Sequence, residues 1–211
     1  MIHCVILDMD GTLLDSESIS REATSIGFKQ IFGRELTDEE HSLLIGRPVQ
    51  KIMREKYGEN GEKAYVIGRD IFNQSIHKIE LFPGVLEMLK ELTQHKYSLG
   101  LVTSSHRTTA KYFLDKTCIS SLFKCIIGQE DTENHKPHPE PLKKCISQLG
   151  FTAEQSVYIG DQPYDIEAAR AAGMKSIGVT WGPGLENILR LEEPDFICDD
   201  PSEVISKLKR L

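Results

Sequence analysis

Asp8 and Asp10 stand two positions apart at the end of an apolar run, in "VILDMDGT", with Gly11-Thr12 following at once. Side chains alternate along extended backbone, so residues two apart point the same way and both carboxylates can face one site. Two carboxylates at the edge of a core repel each other and give up hydration, which is costly unless a cation offsets it. Taken alone, the segment reads equally well as a turn in which Asp and Gly serve their backbone preferences.

Three further segments carry chemistry of the same kind. "VTSS" sets Thr103, Ser104 and Ser105 just before a helical pattern. There, free N–H groups and the positive dipole end suit a phosphate, although a plain Ser/Thr helix cap has the same composition. "HKPHP" holds Lys136 before Pro137, a position that disfavours helical backbone; a solvated surface lysine is the plainer alternative. His135 and His138 flank that lysine, but no cysteine or third histidine is near them, which argues against a transition-metal pair. "GDQPYD" puts Asp161 at a strand end and Asp165 in the first turn of a helix, where the dipole alone would favour an aspartate. Each segment has an ordinary explanation; four of them on successive strand ends point to one site. Oxygen donors at this density suit Mg²⁺, which is commonly shared between one or two carboxylates and a phosphate.

The elements that must position these groups follow from hydrophobic patterning. Apolar, β-rich runs recur at 3–7, 97–102, 125–127, 156–159 and 175–180, with helical patterns at 85–95, 108–116, 139–149 and 163–172. Gly173 falls where a left-handed helix cap belongs. Strands alternating with helices predict an α/β fold, a Rossmann-like parallel sheet with helices on both faces. From about Ser16 to Ile79 the alternation stops and only helical segments remain, with a capping box over Thr37–Glu40. A small all-helical domain, residues 16–80, is therefore expected as an insertion after the first strand of a main domain built from 1–15 and 81–211. "LFPG", residues 81–84, marks the return, with Pro83 opening a helix.

Bulk composition narrows the function classes. The chain has 211 residues, 39% apolar and 27% charged, which fits a globular protein and argues against disorder. No apolar run nears the ~18 residues that span a bilayer, and the N-terminus lacks the pattern of a secretory signal. The net charge of −7 without a basic cluster makes nucleic acid an improbable partner. Five scattered cysteines read as reduced core thiols of a cytoplasmic protein.

Together, "DMDGT", "VTSS", Lys136 in "KPHP" and "GDQPYD" resemble the four motifs of the haloacid dehalogenase superfamily of phosphotransferases. The resemblance covers essentially the whole chain, including a helical cap. "LFPGVLEMLKEL" and "AARAAGMKSIGVTWG" are similar to the branch holding phosphoglycolate phosphatases, pyrophosphatases and β-phosphoglucomutase. The resemblance implies that Asp8 is a nucleophile forming an aspartyl phosphate and Asp10 a general acid and base whose main-chain carbonyl also meets the metal. It implies that Thr103, the Ser104 backbone and Lys136 hold phosphoryl oxygens. Asp8 and Asp161 would bind Mg²⁺, with Asp165 arranging its waters. A second aspartate at position 10 favours phosphoryl transfer over dehalogenation.

Phosphoryl transfer depends on positioning and charge neutralisation, which Mg²⁺ and Lys136 would supply. Asp10 would need a proton near neutral pH, although aspartate ionises at about 4; lost hydration and a nearby like charge push in that direction. The expected activity is a Mg²⁺-dependent phosphatase acting on a small phosphorylated metabolite, without nucleic acid or membrane, as a monomer or weak homodimer. A sugar-phosphate mutase is the alternative. β-Phosphoglucomutase-like members carry a histidine at the position of Ser20 and an arginine at that of Val49, which disfavours it here, although Arg47 is close by. Gly46-Arg47 would touch substrate or be plain surface. A receiver-type phosphorylated signalling domain uses similar groups, but its phosphoacceptor lies on an internal strand and it needs no large helical insertion.

Overall fold

The computed structural model describes residues 1–44 and 49–211; Gly46-Arg47 lies outside the described residues. The chain divides into two compact units, one of Met1–Leu14 with Leu81–Leu211 and the other of Asp15–Glu80.

In the first unit, apolar runs become six strands: β1 (Cys4–Leu7), β2 (Ser98–Val102), β3 (Phe123–Ile127), β4 (Ser156–Gly160), β5 (Lys175–Val179) and β6 (Phe196–Cys198). All pair in parallel, in the order β3-β2-β1-β4-β5-β6. The helices of the second unit are α1 (Glu17–Phe32), α2 (Asp38–Ser42) and α3 (Val49–Ser75). Those of the first unit are α4 (Val85–Gln94), α5 (Arg107–Lys116), α6 (Glu140–Leu149), α7 (Pro163–Ala172), α8 (Glu186–Leu189) and α9 (Val204–Leu208). The fold class is the one the patterning predicts: a Rossmann-like parallel sheet with helices, and a helical insertion after β1.

Every residue of β1, β2 and β4 is buried, as strands covered on both faces require. Helix α6 packs against β1, β2 and β3, and α7 against β4 and β5. The period of two along each strand sends Cys4, Ile6, Cys125, Ile127 and Tyr158 into one core layer with Leu142, Cys145 and Ile146 of α6 and Ala168, Ala169 and Ala172 of α7. The strand order places β1 and β4 side by side although the chain runs outward from them in opposite directions. Such a switch point leaves a crevice outside the carboxyl ends of the two strands, the usual ligand position in an open α/β sheet.

Several details differ from the patterning. Strand β6 has three residues, too few to display a period. Strand β3 begins at Phe123, two residues before the apolar run at 125–127, since the exposed Lys124 breaks the run within the strand. Pro83 does not open α4: Gly84, at φ +81°, is the N-cap and the helix starts at Val85. Gly173 does cap α7 in the left-handed conformation. Cys118 is exposed, whereas the other four cysteines are buried core thiols.

In the helical unit, Thr37 caps α2: the Thr37 hydroxyl accepts from the Glu40 N–H (3.2 Å) and the Glu40 carboxylate accepts from the Thr37 N–H (2.9 Å). Helix α3 is broken at Gly58, at φ +61°. Helices α1 and α3 meet through small residues; a Cβ at Gly27 would come within 2.3 Å of the Ala64 carbonyl oxygen. Phe28, Phe32 and Tyr57 cluster with ring centroids 4.3–5.3 Å apart, beside Leu36, Leu44 and Met53. No helix among the described residues is long and apolar enough to cross a membrane.

Candidate active site

Strand β1 ends at Leu7 and β4 at Gly160, so the next residues, Asp8 and Asp161, emerge side by side at the switch point. The ladder carries on one step beyond β1, with the Asp8 N–H donating to the Ile159 carbonyl (2.9 Å). Asp8 is 4% exposed and Asp161 1%. Asp165 comes from the first turn of α7 and is fully buried. Its carboxylate accepts from the Gln162 N–H at 3.0 Å, closing the cap of that helix. Carboxylate oxygens of Asp8, Asp161 and Asp165 all lie within 4.8 Å of one another.

One ammonium enters this cluster. The Lys136 side chain is 2% exposed, not the solvated surface lysine its residue type suggests. Its Nζ donates to Asp8 Oδ1 (2.9 Å), Asp165 Oδ1 (2.7 Å) and the Tyr158 hydroxyl (2.9 Å). An ammonium has three protons, so these three acceptors use all of them. Tyr158 in turn donates to the Val102 carbonyl (3.0 Å). A tyrosine between Val157 and Ile159 in a buried strand is the sequence signal for this contact, since a buried phenol needs a partner.

The electrostatics follow from burial. Loss of water pushes the Asp8 carboxyl up to about 7; the Lys136 ammonium pulls the other way, and Asp165 and Asp10 add to the rise. Burial, then Asp165 and Asp8, push Asp161 well above the usual carboxylate range. Burial works against the charged form of Lys136, yet Asp165 and Asp8 together hold its ammonium above the ordinary lysine value. Among the described residues three buried carboxylates share one cation, so the cluster has an unmet demand for positive charge. An all-oxygen donor set with that deficit fits Mg²⁺.

Residues without an assigned role in the sequence complete the cluster. Thr12 donates from its hydroxyl to Asp161 Oδ1 (3.1 Å), and the Trp181 indole N–H donates to the Thr12 carbonyl (2.9 Å). The Gln162 amide donates to Asp161 Oδ2. Gly11 has φ +81°, and a Cβ there would come within 2.6 Å of Asp161 Oδ2, so this turn requires glycine on both counts.

Asp10 is half-buried, and its carboxylate is not part of the three-aspartate group. Instead its Oδ2 accepts from the Ser105 hydroxyl at 2.9 Å. The "VTSS" segment thus divides its hydroxyls. Thr103 is buried and its Oγ1 accepts from the Ser105 N–H (3.0 Å); Ser104 is exposed; Ser105 reaches Asp10. His135 and His138 are exposed and neither belongs to the metal-competent group.

Residues 5–179 match the haloacid dehalogenase-like hydrolase family model. The chain is 30% identical over 209 residues to the pyrophosphatase PpaX of Anoxybacillus flavithermus, covering 98% of this chain and 97% of that one. It is 31% identical over 233 residues to a phosphoglycolate phosphatase of Salmonella paratyphi A, covering 98% and 92%. Its fold is similar to that of a haloacid dehalogenase-like family hydrolase from Streptococcus pneumoniae, with a TM-score of 0.85, 26% identity and 98% of each chain covered.

Proposed function

The chain belongs to the haloacid dehalogenase-like hydrolase family, and from that premise we propose that it is a Mg²⁺-dependent phosphatase acting on a small phosphorylated metabolite through an aspartyl phosphate on Asp8. The observation that carries this reading is the buried group of Asp8, Asp161 and Asp165 around the single ammonium of Lys136.

Asp8 and Asp161, with the Asp10 carbonyl, would hold the metal, and Asp165 would order its waters. When bound, Mg²⁺ supplies positive charge that lowers the repulsion between an anionic nucleophile and an anionic phosphate. In the first step an Asp8 oxygen attacks phosphorus, the bond to the leaving oxygen breaks, and Asp10 protonates that oxygen. In the second step Asp10, now ionised, takes a proton from water as the water oxygen attacks phosphorus and the bond to Asp8 breaks. This is two-step covalent catalysis. Thr103, the Ser104 N–H and Lys136 would bind the phosphoryl oxygens. Because all three Lys136 protons already have acceptors, a phosphoryl oxygen must replace one of them. The helical unit would be the family's cap and the source of substrate selectivity. Free thiols throughout fit a cytoplasmic setting.

A panel of phosphorylated metabolites, including phosphoglycolate, pyrophosphate and hexose 1-phosphates, tests the reading with Mg²⁺ present. Release of inorganic phosphate is the expected result. An isomerised ester without free phosphate would establish a mutase instead, and inertness toward the whole panel would refute the phosphatase.

A further inference from the structure

We propose that Ser105 is a positioning residue for Asp10, fixing the carboxyl group that exchanges protons with the leaving oxygen and then with water. The proposal rests on the phosphatase reading above and assigns a residue that reading does not use.

Both partners are anchored through their main chains. The Ser105 N–H donates to Thr103 Oγ1 (3.0 Å), and the Ser105 carbonyl accepts from the Gln129 N–H (2.9 Å). Asp10 opens a turn closed by the Gly11 N–H on the Leu14 carbonyl (3.0 Å), and it pairs with Leu14 in an isolated bridge. Between these two fixed backbones, 95 positions apart, the Ser105 hydroxyl donates to Asp10 Oδ2 at 2.9 Å. The ordinary duty of a serine before a helix is capping, and Ser105 does not perform it: His106 occupies the N-cap of α5, with no side-chain cap bond.

The choice of a hydroxyl matters chemically. During the cycle Asp10 is a carboxylic acid before the first proton transfer and a carboxylate after it. A hydroxyl rotates to accept from the acid or to donate to the anion, so the same contact persists in both halves. An ammonium has no acceptor and could not receive the O–H of the acid. Positioning of an acid within hydrogen-bond reach of the leaving oxygen is what general acid catalysis requires.

The experiment compares Ser105→Ala with wild type on p-nitrophenyl phosphate and unsubstituted phenyl phosphate, two substrates of similar shape that differ in leaving-group basicity. kcat/KM reports the step in which the leaving oxygen departs, and the poorer leaving group depends more on protonation. The variant is expected to lose about tenfold more kcat/KM on phenyl than on p-nitrophenyl phosphate, with Ser105→Thr restoring most of the difference. A structural role would lower both values alike, and an equal loss or no loss overturns the proposal. Should Ser105→Ala perturb the fold by circular dichroism, Ser105→Cys, which keeps the shape but is a weak donor, decides in the same way. Asp10→Ala serves as the reference. If it fails to steepen the leaving-group dependence, the acid assignment of Asp10 falls and takes this inference with it; if it does so and the Ser105 variants do not, only Ser105 is misassigned.

Discussion

Lys136 and Asp8, 128 positions apart in sequence, share a 2.9 Å hydrogen bond with both side chains almost entirely removed from water. A buried ion pair is a weak source of stability, yet removing one partner leaves a charge uncompensated and is strongly destabilising. Lys136→Ala is therefore expected to destabilise the metal-free protein by about 3 kcal/mol and to cut kcat/KM by about 10²–10³-fold. Denaturant unfolding and steady-state kinetics measure the two effects; a variant with wild-type values in both would contradict the geometry.

Asp8→Asn keeps the size of the side chain and the hydrogen-bonding position but removes the charge that the proposed nucleophile needs. Turnover of p-nitrophenyl phosphate should fall by about 10³-fold or more, with an unchanged far-ultraviolet circular dichroism spectrum. Appreciable residual hydrolysis by the folded variant would exclude Asp8 as the nucleophile.

Metal and pH should be linked through Asp8. Its carboxyl sits near 3.8 in a free chain and about 7 in the fold, a raised acid. The folded state binds the proton more tightly, so the stability this group contributes is present at low pH and lost as pH rises from about 4 toward 7. A divalent cation needs the ionised form and restores what is lost. The stabilisation produced by a fixed Mg²⁺ concentration should thus grow between pH 5.5 and 7, by at most about 1.4 kcal/mol per pH unit for each proton displaced. Thermal melts with Mg²⁺ or with chelator read this directly, and an equal melting shift at both pH values would argue against metal at Asp8. Chelation should also stop hydrolysis reversibly.

Glu40 predicts an acid-sensitive point in the helical unit. Its carboxylate accepts from both terminal Arg34 nitrogens (2.8 Å each), from the Tyr57 hydroxyl (2.6 Å) and from the Thr37 N–H (2.9 Å). Arg34 above all holds it well below the usual carboxylate range. For a depressed acid the stabilisation is complete above about 4.5 and disappears as pH falls. Glu40→Gln should cost about 1–2 kcal/mol at pH 7, discounted for the half-exposed Arg34, with the difference from wild type shrinking below pH 4.5. Parallel urea titrations at pH 7 and pH 3.5 test it; a pH-independent difference would mean the charge is irrelevant.

Much of the fold is legible in the sequence because local patterning and fold agree. Strands buried on both faces must be near-continuously apolar, and helices on a parallel sheet must recur between them, so patterning marks five of the six strands and helices α4 to α7. The sixth strand is too short to carry a period. The four chemistry-bearing segments are legible for a related reason: strand ends in a parallel sheet gather on one edge whatever the intervening chain does.

Which atoms meet there is a different matter. The residue types and their order along the chain announce an edge rich in carboxylates and hydroxyls, and they announce it without coordinates. The pairing of β1 with β4 alone brings Asp8 beside Asp161. Burial alone turns Lys136 from a surface cation into a positive charge set among three carboxylates, and the turn at Gly11 sends Asp10 away from them to Ser105. Those outcomes depend on distances of a few ångströms between residues about a hundred positions apart, and on the water excluded around them. Periodicity and composition carry no information about either.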